Sequence, residues 1–284
     1  MLAKIIQDSI APNGKRLTTM QLRYQRFIHA EFMTHRVFSR NASSSRAIPV
    51  AKMIEQVRND PAMPAHWGKN QAGMQAEVEN DALIDLGLLM DHGQGLTAEE
   101  TWRQAANIAA TIAEAMSAAG YHKQVVNRLL EPFQYINVVV TATEWDNFFE
   151  LRTHKDAQPE FQVLACAMKQ AMDESVPTRC LYGKSWWHLP YVQPHERDMY
   201  PTEILIQMSA ARCARVSYLK HDSTKPNVED DIALYNRLIV AKPAHASPIE
   251  HQAYPSVDAN YKSNNFVGWI QYRSILAQEE AINV

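Results

Sequence analysis

The sequence predicts an α+β fold in which a few strands sit among many helices. Three observations lead there. Residues 135–141, YINVVVT, have the β-branched density of a buried strand. Residues 17–24 alternate around Leu17, Met20, Leu22 and Tyr24, the period-2 pattern of a second strand. Between and after these, apolar residues recur at helical spacing, as in Trp145, Phe148, Phe149 and Arg152, which share one helix face.

Taken in order, the strand around Leu17–Tyr24 leads into a helical stretch through Phe27, Ile28, Phe32 and His35. The run SRNASSSRAIP follows and reads as a loop, because serines, asparagine and Pro49 interrupt any period. Residues 51–96 are polar and broken by Pro61, Pro64, Gly68 and further glycines, which suggests short helices on long loops. A well-marked helix then opens at Thr97, where Glu100 completes a capping box, and stops at Gly120. After the 135–141 strand and the Trp145 helix, Phe161, Leu164, Ala165, Met168 and Met172 mark another helix. Asn227 caps one that carries Val228, Ile232, Tyr235 and Ile239. No internal repeat or low-complexity tract interrupts this order.

At 284 residues the chain could form one large domain or two smaller ones. Hydrophobic residues at 46% and charged residues at 21% exclude a disordered tail protein. The net charge of −3 argues against a protein built to grip a nucleic-acid backbone, while a few arginines still suffice for one small phosphate. No stretch approaches the ~20 apolar residues that cross a bilayer, so no membrane association is expected. MLAKIIQDSIAP lacks the basic and apolar regions of a signal peptide. Cys166, Cys180 and Cys213 form no CxxC pair, which suggests reduced, mostly buried thiols and a cytoplasmic setting. Cys166 falls in an apolar helical pattern and is expected in the core. The polar or basic neighbours of Cys180 and Cys213 leave a nucleophile open.

The densest chemistry lies in THRVFSRNASSSR, Thr34 to Arg46, where His35, Arg36 and Arg46 surround hydroxyls and backbone N–H groups. Arginine forks with serine hydroxyls make good phosphate ligands, although a solvated serine loop would look the same. The pattern itself resembles the signature of the flavin-dependent thymidylate synthases: Arg-His-Arg, seven residues, Ser, any residue, Arg. Asn41 falls where that family has an asparagine. ATEWDNFFELRTHKDAQPEFQ resembles a second family segment, matched at Asn147, Arg152, Ala157, Gln158 and Glu160. Arg128 with Leu129, Leu130 and Pro132 resembles the family's Arg-x-x-Leu-Pro. ARCARVSYLKHD and HASPIEH resemble segments that the family carries upstream of its signature, so the order here looks circularly permuted.

The resemblance implies a single domain over 1–284, a mixed helical domain around a small antiparallel sheet. Residues 51–125 would be a largely helical segment, and 205–284 would correspond to the family's usual N-terminal part. It implies FAD-dependent methylation of dUMP to dTMP, with methylene-tetrahydrofolate and NADPH as co-substrates, in a homotetramer. Thr34, His35, Arg36, Asn147 and Ser247 would contact FAD. Glu31, Ser44, Ser45, Arg46, Arg128 and Arg152 would hold the nucleotide. Arg152 would also be catalytic, lying against the uracil and stabilising its N3-deprotonated form. No metal and no nucleic acid are expected.

Several positions depart from the family. Thr34 replaces the signature's first arginine, Ala42 a glutamate, and Thr141 and Thr143 an Asn-x-Arg pair. Glu31 stands where a glutamine is usual. An acceptor there could instead bind the exocyclic amine of dCMP, making the reaction methyl or hydroxymethyl transfer to cytosine, or it could simply pair with an arginine or His35. Two readings from other classes compete. His245, Glu250 and His251, with His188, could ligate a hydrolytic metal, although Pro248 interrupts the arrangement. Trp186, Trp187 and His188 in YGKSWWHLPYV could stack bases in a nucleic-acid-binding or catalytically dead nucleotide-binding protein.

Overall fold

The computed structural model describes residues 1–87, 95–184, 186–218 and 227–282. Its centre is a five-stranded sheet of β1 (Leu2–Ile10), β2 (Arg16–Gln25), β3 (Ser39–Ala42), β4 (Tyr135–Ala142) and β5 (Thr178–Arg179). The order is β3-β4-β2-β1-β5, antiparallel except for the parallel pair β1–β5. The β1–β2 turn closes on Gly14, whose φ of +86° is the left-handed region that glycine enters without strain. Gly14 N donates to Ala11 O at 2.9 Å, and Asn13 Oδ1 accepts from Lys15 N at 2.9 Å.

β4 reads as an unbroken β-branched run because both of its faces are covered. Ile136, Val138, Val140 and Ala142 join Met20, Leu22 and Tyr24 of β2 in the main core. Val139 and Thr141 point into a second layer on the other face, with Cys213, Val216 and His251. The first layer is built by α1 (His29–Phe32), α5 (Asp146–Arg152) and α6 (Pro159–Asp173), which contribute Phe32, Phe148, Phe161, Leu164, Ala165 and Met168. Their rings meet edge-on or tilted, such as Phe32–Phe148 at 6.1 Å and Phe38–Trp145 at 4.7 Å.

Three helices form a satellite core beside the sheet. α2 (Val50–Asn59), α3 (Ala98–Ala118) and α4 (Lys123–Val126) bury Met53, Ile54, Val57, Ala106, Ala110, Ala113 and Val126. The expected cap is present: Glu100 N donates to Thr97 Oγ1 at 3.2 Å and Thr97 N donates to Glu100 Oε2 at 2.9 Å. α2 is one of the short helices expected over residues 51–96; between α2 and α3 the described residues carry the isolated bridges Gly68 with Glu79 and Ile84 with Leu96.

The second layer comprises α7 (Pro194–Met199), α8 (Thr202–Tyr218), α9 (Val228–Tyr235) and α10 (Tyr272–Ile282). Short pairs β6 (Ala253–Pro255) with β9 (Trp269–Gln271), and β7 (Lys262–Ser263) with β8 (Phe266–Val267), complete it. Asn227 caps α9, its Oδ1 accepting from Asp230 N at 2.7 Å. α8 and α9 are locked by ions: Arg212 bonds Glu196 and Asp231, and Arg215 bonds Asp231, at 2.7–2.8 Å. Asp231 is fully buried, and removing either arginine would leave that carboxylate undercompensated. Leu219 to Asp222 of the ARCARVSYLKHD segment lie outside the described residues.

Two expectations are corrected by this architecture. The run 39–49 is not all loop, because its first four residues pair with β4 as an edge strand. Cys166 is exposed: the core stripe of α6 runs through Phe161, Leu164, Ala165 and Met168, and Cys166 turns about 100° from Ala165 toward solvent. Among the described residues no helix is long and apolar enough to cross a membrane.

Candidate active site

The signature segment wraps the end of the sheet as two pieces. Thr34–Val37 form a turn after α1, tied by Thr34 N and Oγ1 donating to Glu31 O at 3.0 and 2.7 Å. β3 then carries Ser39 to Ala42 along β4, and Ser43–Ser45 return toward the satellite core. Arg40 clamps the turn, its Nη1 donating to Phe32 O at 3.1 Å and His35 O at 3.0 Å.

His35 and Arg152, distant in sequence, meet directly. Arg152 Nε donates to His35 Nε2 at 3.0 Å. The Arg152 guanidinium lies over the Phe161 ring, 4.5 Å from its centroid, and its Nη1 stands 3.7 Å from Glu31 Oε2. His35 is buried against Phe148, edge to face at 4.9 Å. Burial, with the Arg152 and Arg40 guanidinium groups beside it, pushes the His35 ring down to about 4, so it is neutral at pH 7. Because arginine is only a donor, Nε2 is the bare nitrogen and Nδ1 carries the proton.

A second group forms on Glu131. Its Oε1 accepts from Ser45 Oγ at 2.8 Å and from Arg128 at 3.0 Å, and forms an ion pair with Arg26 at 3.1 Å. Ser45 and Arg128 are therefore brought together as expected, through a carboxylate that stands one residue before Pro132. Ser44 is half-buried and caps Arg46 N at 3.3 Å, while the Arg46 side chain is exposed.

Ser247 lies on a 3₁₀ turn, Ser247–Glu250, packed against β3 and α8. With Met33, Arg40, Asn41, His245 and Leu238 it lines a cleft of about 290 Å³. The chain's C-terminal part thus reaches the signature strand. Arg36 and Asn147 are exposed and do not line this cleft. Asn41 is held by Nδ2 donating to Cys213 O at 3.1 Å.

The rival constellations are used for other purposes. His188 accepts or donates to Ser9 at 2.8 Å and to Thr19 at 2.8 Å, and Thr19 bonds Thr141 at 2.7 Å. Thr141 continues to His251 Nδ1 at 2.8 Å. Burial pushes His251 down to about 3 and His188 well below its ordinary value, so both are neutral. His245 is exposed and Glu250 pairs with Arg273. Among the described residues no three His, Cys, Asp or Glu side chains converge as a metal site. Trp187 is buried against Tyr254 and Tyr272 at 5.0 and 6.0 Å, which makes it core rather than a base-stacking platform. Cys180 and Cys213 are buried, and burial pushes the Cys180 thiol up to about 12 and the Cys213 thiol higher still, so neither is a thiolate at neutral pH.

Three residues of the site escaped the sequence reading. Arg40 was legible only as a loop position and Phe161 only as a core position, and Glu131 sits where the family pattern has leucine, a departure visible in the sequence.

No curated protein matches the chain. Among solved structures, a flavin-dependent thymidylate synthase from Helicobacter pylori, crystallised with FAD and dUMP, is 15% identical with a TM-score of 0.36, over 55% of this chain and 67% of that one. A UMP/dUMP methylase from Streptomyces cacaoi, bound with 5-Br UMP, is 15% identical with a TM-score of 0.39, over 61% of this chain and 88% of that one. The family model described as thymidylate synthase complementing protein matches residues 17–178, more than half of the chain, from β2 through the signature, Arg128 and Arg152 to β5. On that match the chain belongs to the thymidylate synthase complementing protein family, the flavin-dependent thymidylate synthases, and is an enzyme.

Proposed function

We propose that this enzyme methylates dUMP to dTMP with FAD as cofactor and with methylene-tetrahydrofolate and NADPH as co-substrates. The observation that carries the reading is the Arg152 guanidinium, stacked on Phe161 and held by His35 within the matched signature. A fixed cation of this kind stabilises negative charge as it develops on a uracil deprotonated at N3, without the solvent reorganisation a mobile charge needs. Uracil offers O2 and O4 as acceptors and suits a group that only donates. Glu31 faces Arg152 at 3.7 Å, which supports pairing over recognition of an exocyclic amine, and therefore dUMP over dCMP.

The cleft fits the cofactor's chemistry in part: Arg40, Asn41, His245 and Ser247 supply polar groups, and Met33, Leu238 and Pro248 supply apolar walls. A volume near 290 Å³ admits a ring system, not a whole dinucleotide. Thr34, His35, Arg36, Asn147 and Ser247 are the proposed FAD contacts; Ser247 lines the cleft, and the other four would take the parts outside it. Bound there, the flavin supplies the hydride chemistry, and the protein orients and shields it. Ser44, Ser45, Arg46 and Arg128 would bind the phosphate, with the two hydroxyls as neutral and the arginines as charge-assisted donors. The enzyme works in this reading as a cytoplasmic homotetramer of single-domain protomers.

The test is direct. Purified protein is titrated with FAD, then supplied with NADPH, methylene-tetrahydrofolate and either dUMP or dCMP, and the product mass is followed. dUMP should gain one methyl group. Protein that binds no FAD, or that turns over dCMP faster and loses this preference in Glu31→Gln, would refute the reading.

A further inference from the structure

We infer that His35 is a positioning residue for Arg152, fixing which edge of the guanidinium faces the substrate. The inference rests on Arg152 being the group that lies against the base. A planar guanidinium needs two constraints to be fixed: one for its plane and one for rotation within that plane. Phe161 supplies the first, lying under the group at 4.5 Å. His35 Nε2 supplies the second by taking the Nε–H at 3.0 Å. With Nε–H occupied, the four N–H groups of the two terminal nitrogens remain. Glu31 approaches one of those nitrogens at 3.7 Å, too far for a good hydrogen bond, and its side chain is 48% exposed.

His35 is suited to this because its own freedom has been removed. Phe148 meets its ring edge to face at 4.9 Å, and Phe38 and Phe161 stand at 5.8 and 6.1 Å. Arg40, from β3, grips the His35 carbonyl at 3.0 Å. The charged groups around the ring are Arg152 from α5 and Arg40 from β3, both cationic. α6 and the Phe38 turn place aromatic rings against the imidazole, and Glu31 of α1 faces Arg152. A protonated His35 would face two guanidinium groups and could not accept from Arg152. The neutral ring is therefore the state that positions the arginine.

Three full-length proteins decide the matter: wild type, His35→Gln and His35→Phe. Glutamine keeps an acceptor oxygen, whereas phenylalanine keeps the ring shape and loses the acceptor. In proteins labelled with ¹⁵N at arginine, the Arg152 Nε–H should exchange slowly with water in wild type and fast in His35→Phe, with partial protection in His35→Gln. At saturating FAD, His35→Phe should lose ~100-fold in kcat, the scale for misplacing a preorganised charge, while its dUMP KM stays within ~3-fold. His35→Gln should regain kcat to within ~10-fold of wild type. Equal exchange of Arg152 Nε–H in wild type and His35→Phe would overturn the inference. So would a His35→Phe kcat within ~3-fold of wild type at saturating FAD despite fast exchange of the Arg152 Nε–H, because the fixed edge would then not matter to turnover. Should wild type bind no FAD and leave dUMP unchanged, the functional reading fails, and the exchange measurement still decides whether His35 fixes Arg152. If His35→Phe does not fold, His35→Leu, which also lacks an acceptor, takes its place in the comparison.

Discussion

Acidification should unfold this protein well before its carboxylates are titrated. Four histidines are held neutral by burial: His29 and His35 at about 4, His251 at about 3, and His188 well below its ordinary value. Each has a depressed folded pKa, so its stability contribution is present above the unfolded value near 6.5 and is lost as pH falls toward the folded one. Between pH 7 and pH 5 an unfolded histidine takes up about 0.7 of a proton and the folded one almost none, which costs about 1.8 kcal/mol per residue and about 7 kcal/mol for the set. That is comparable to the whole stability of an ordinary domain, about 5–15 kcal/mol. Glu250, whose carboxyl burial pushes up, works in the opposite direction and trims the loss at the acid end. Urea unfolding followed by tryptophan fluorescence at pH 7, 6 and 5 should show the midpoint dropping steeply, with the slope m nearly constant. A midpoint unchanged from pH 7 to pH 5 would refute the reasoning and show these histidines to be solvated or charged in the folded protein. His251→Asn, which keeps a hydrogen-bonding group for Thr141 and cannot titrate, should flatten the pH dependence by about one quarter.

Other outcomes follow from single contacts. Replacing Cys166, Cys180 and Cys213 together by alanine should preserve turnover in folded protein, since burial holds Cys180 and Cys213 as thiols and the proposed chemistry rests on Arg152, and an essential cysteine would favour a covalent mechanism. Glu131→Gln should tighten dUMP binding by calorimetry roughly 3-fold or more, because Ser45, Arg128 and Arg26 no longer share a competing anion. Weaker binding would mean that the carboxylate positions those donors. Gly268→Ala should cost ~1–3 kcal/mol in urea unfolding, because its φ is +75° and an added Cβ would come within 2.6 Å of Lys15 Cγ and 3.1 Å of Ala259 O. An unchanged midpoint would show that this turn relaxes freely.

How legible each element was depended on whether its side chains met one environment or two. α3, α5 and α6 bury one stripe and expose the rest, so their periods could be read directly. β1 was missed for a physical reason. Its register shifts between Ile5 and Gln7, which breaks the period-2 pattern. Its buried Asp8 then looks like a loop residue, although Arg16, Thr18 and Ser175 satisfy it. β3 was hidden the same way, because Ser39 and Asn41 are polar side chains whose partners, Asn265 and Cys213, come from far along the chain. The chemistry was partly legible: a spacing pattern marked His35, Ser45, Arg128 and Arg152 as members of one family site. It could not show that His35 would turn to Arg152 or that Ser45 and Arg128 would meet on Glu131, since such pairings arise only when separate elements pack.

The two-sided sheet also sets a schedule for synthesis. β4 is complete at Ala142, but the groups that cover its second face arrive later, at His188, Cys213 and His251. At ~5–20 residues per second, the ribosome needs about 5–20 s to pass from the end of β4 to His251. Throughout that interval a nascent chain carries Leu17, Thr19, Val139 and Thr141 on an open β-surface. The first face can collapse onto its aromatic core once α6 is made, while the second face waits for the last third of the polypeptide. Slow codons in that last third should raise the aggregated fraction in expressing cells, and chaperones that hold extended strands should lower it.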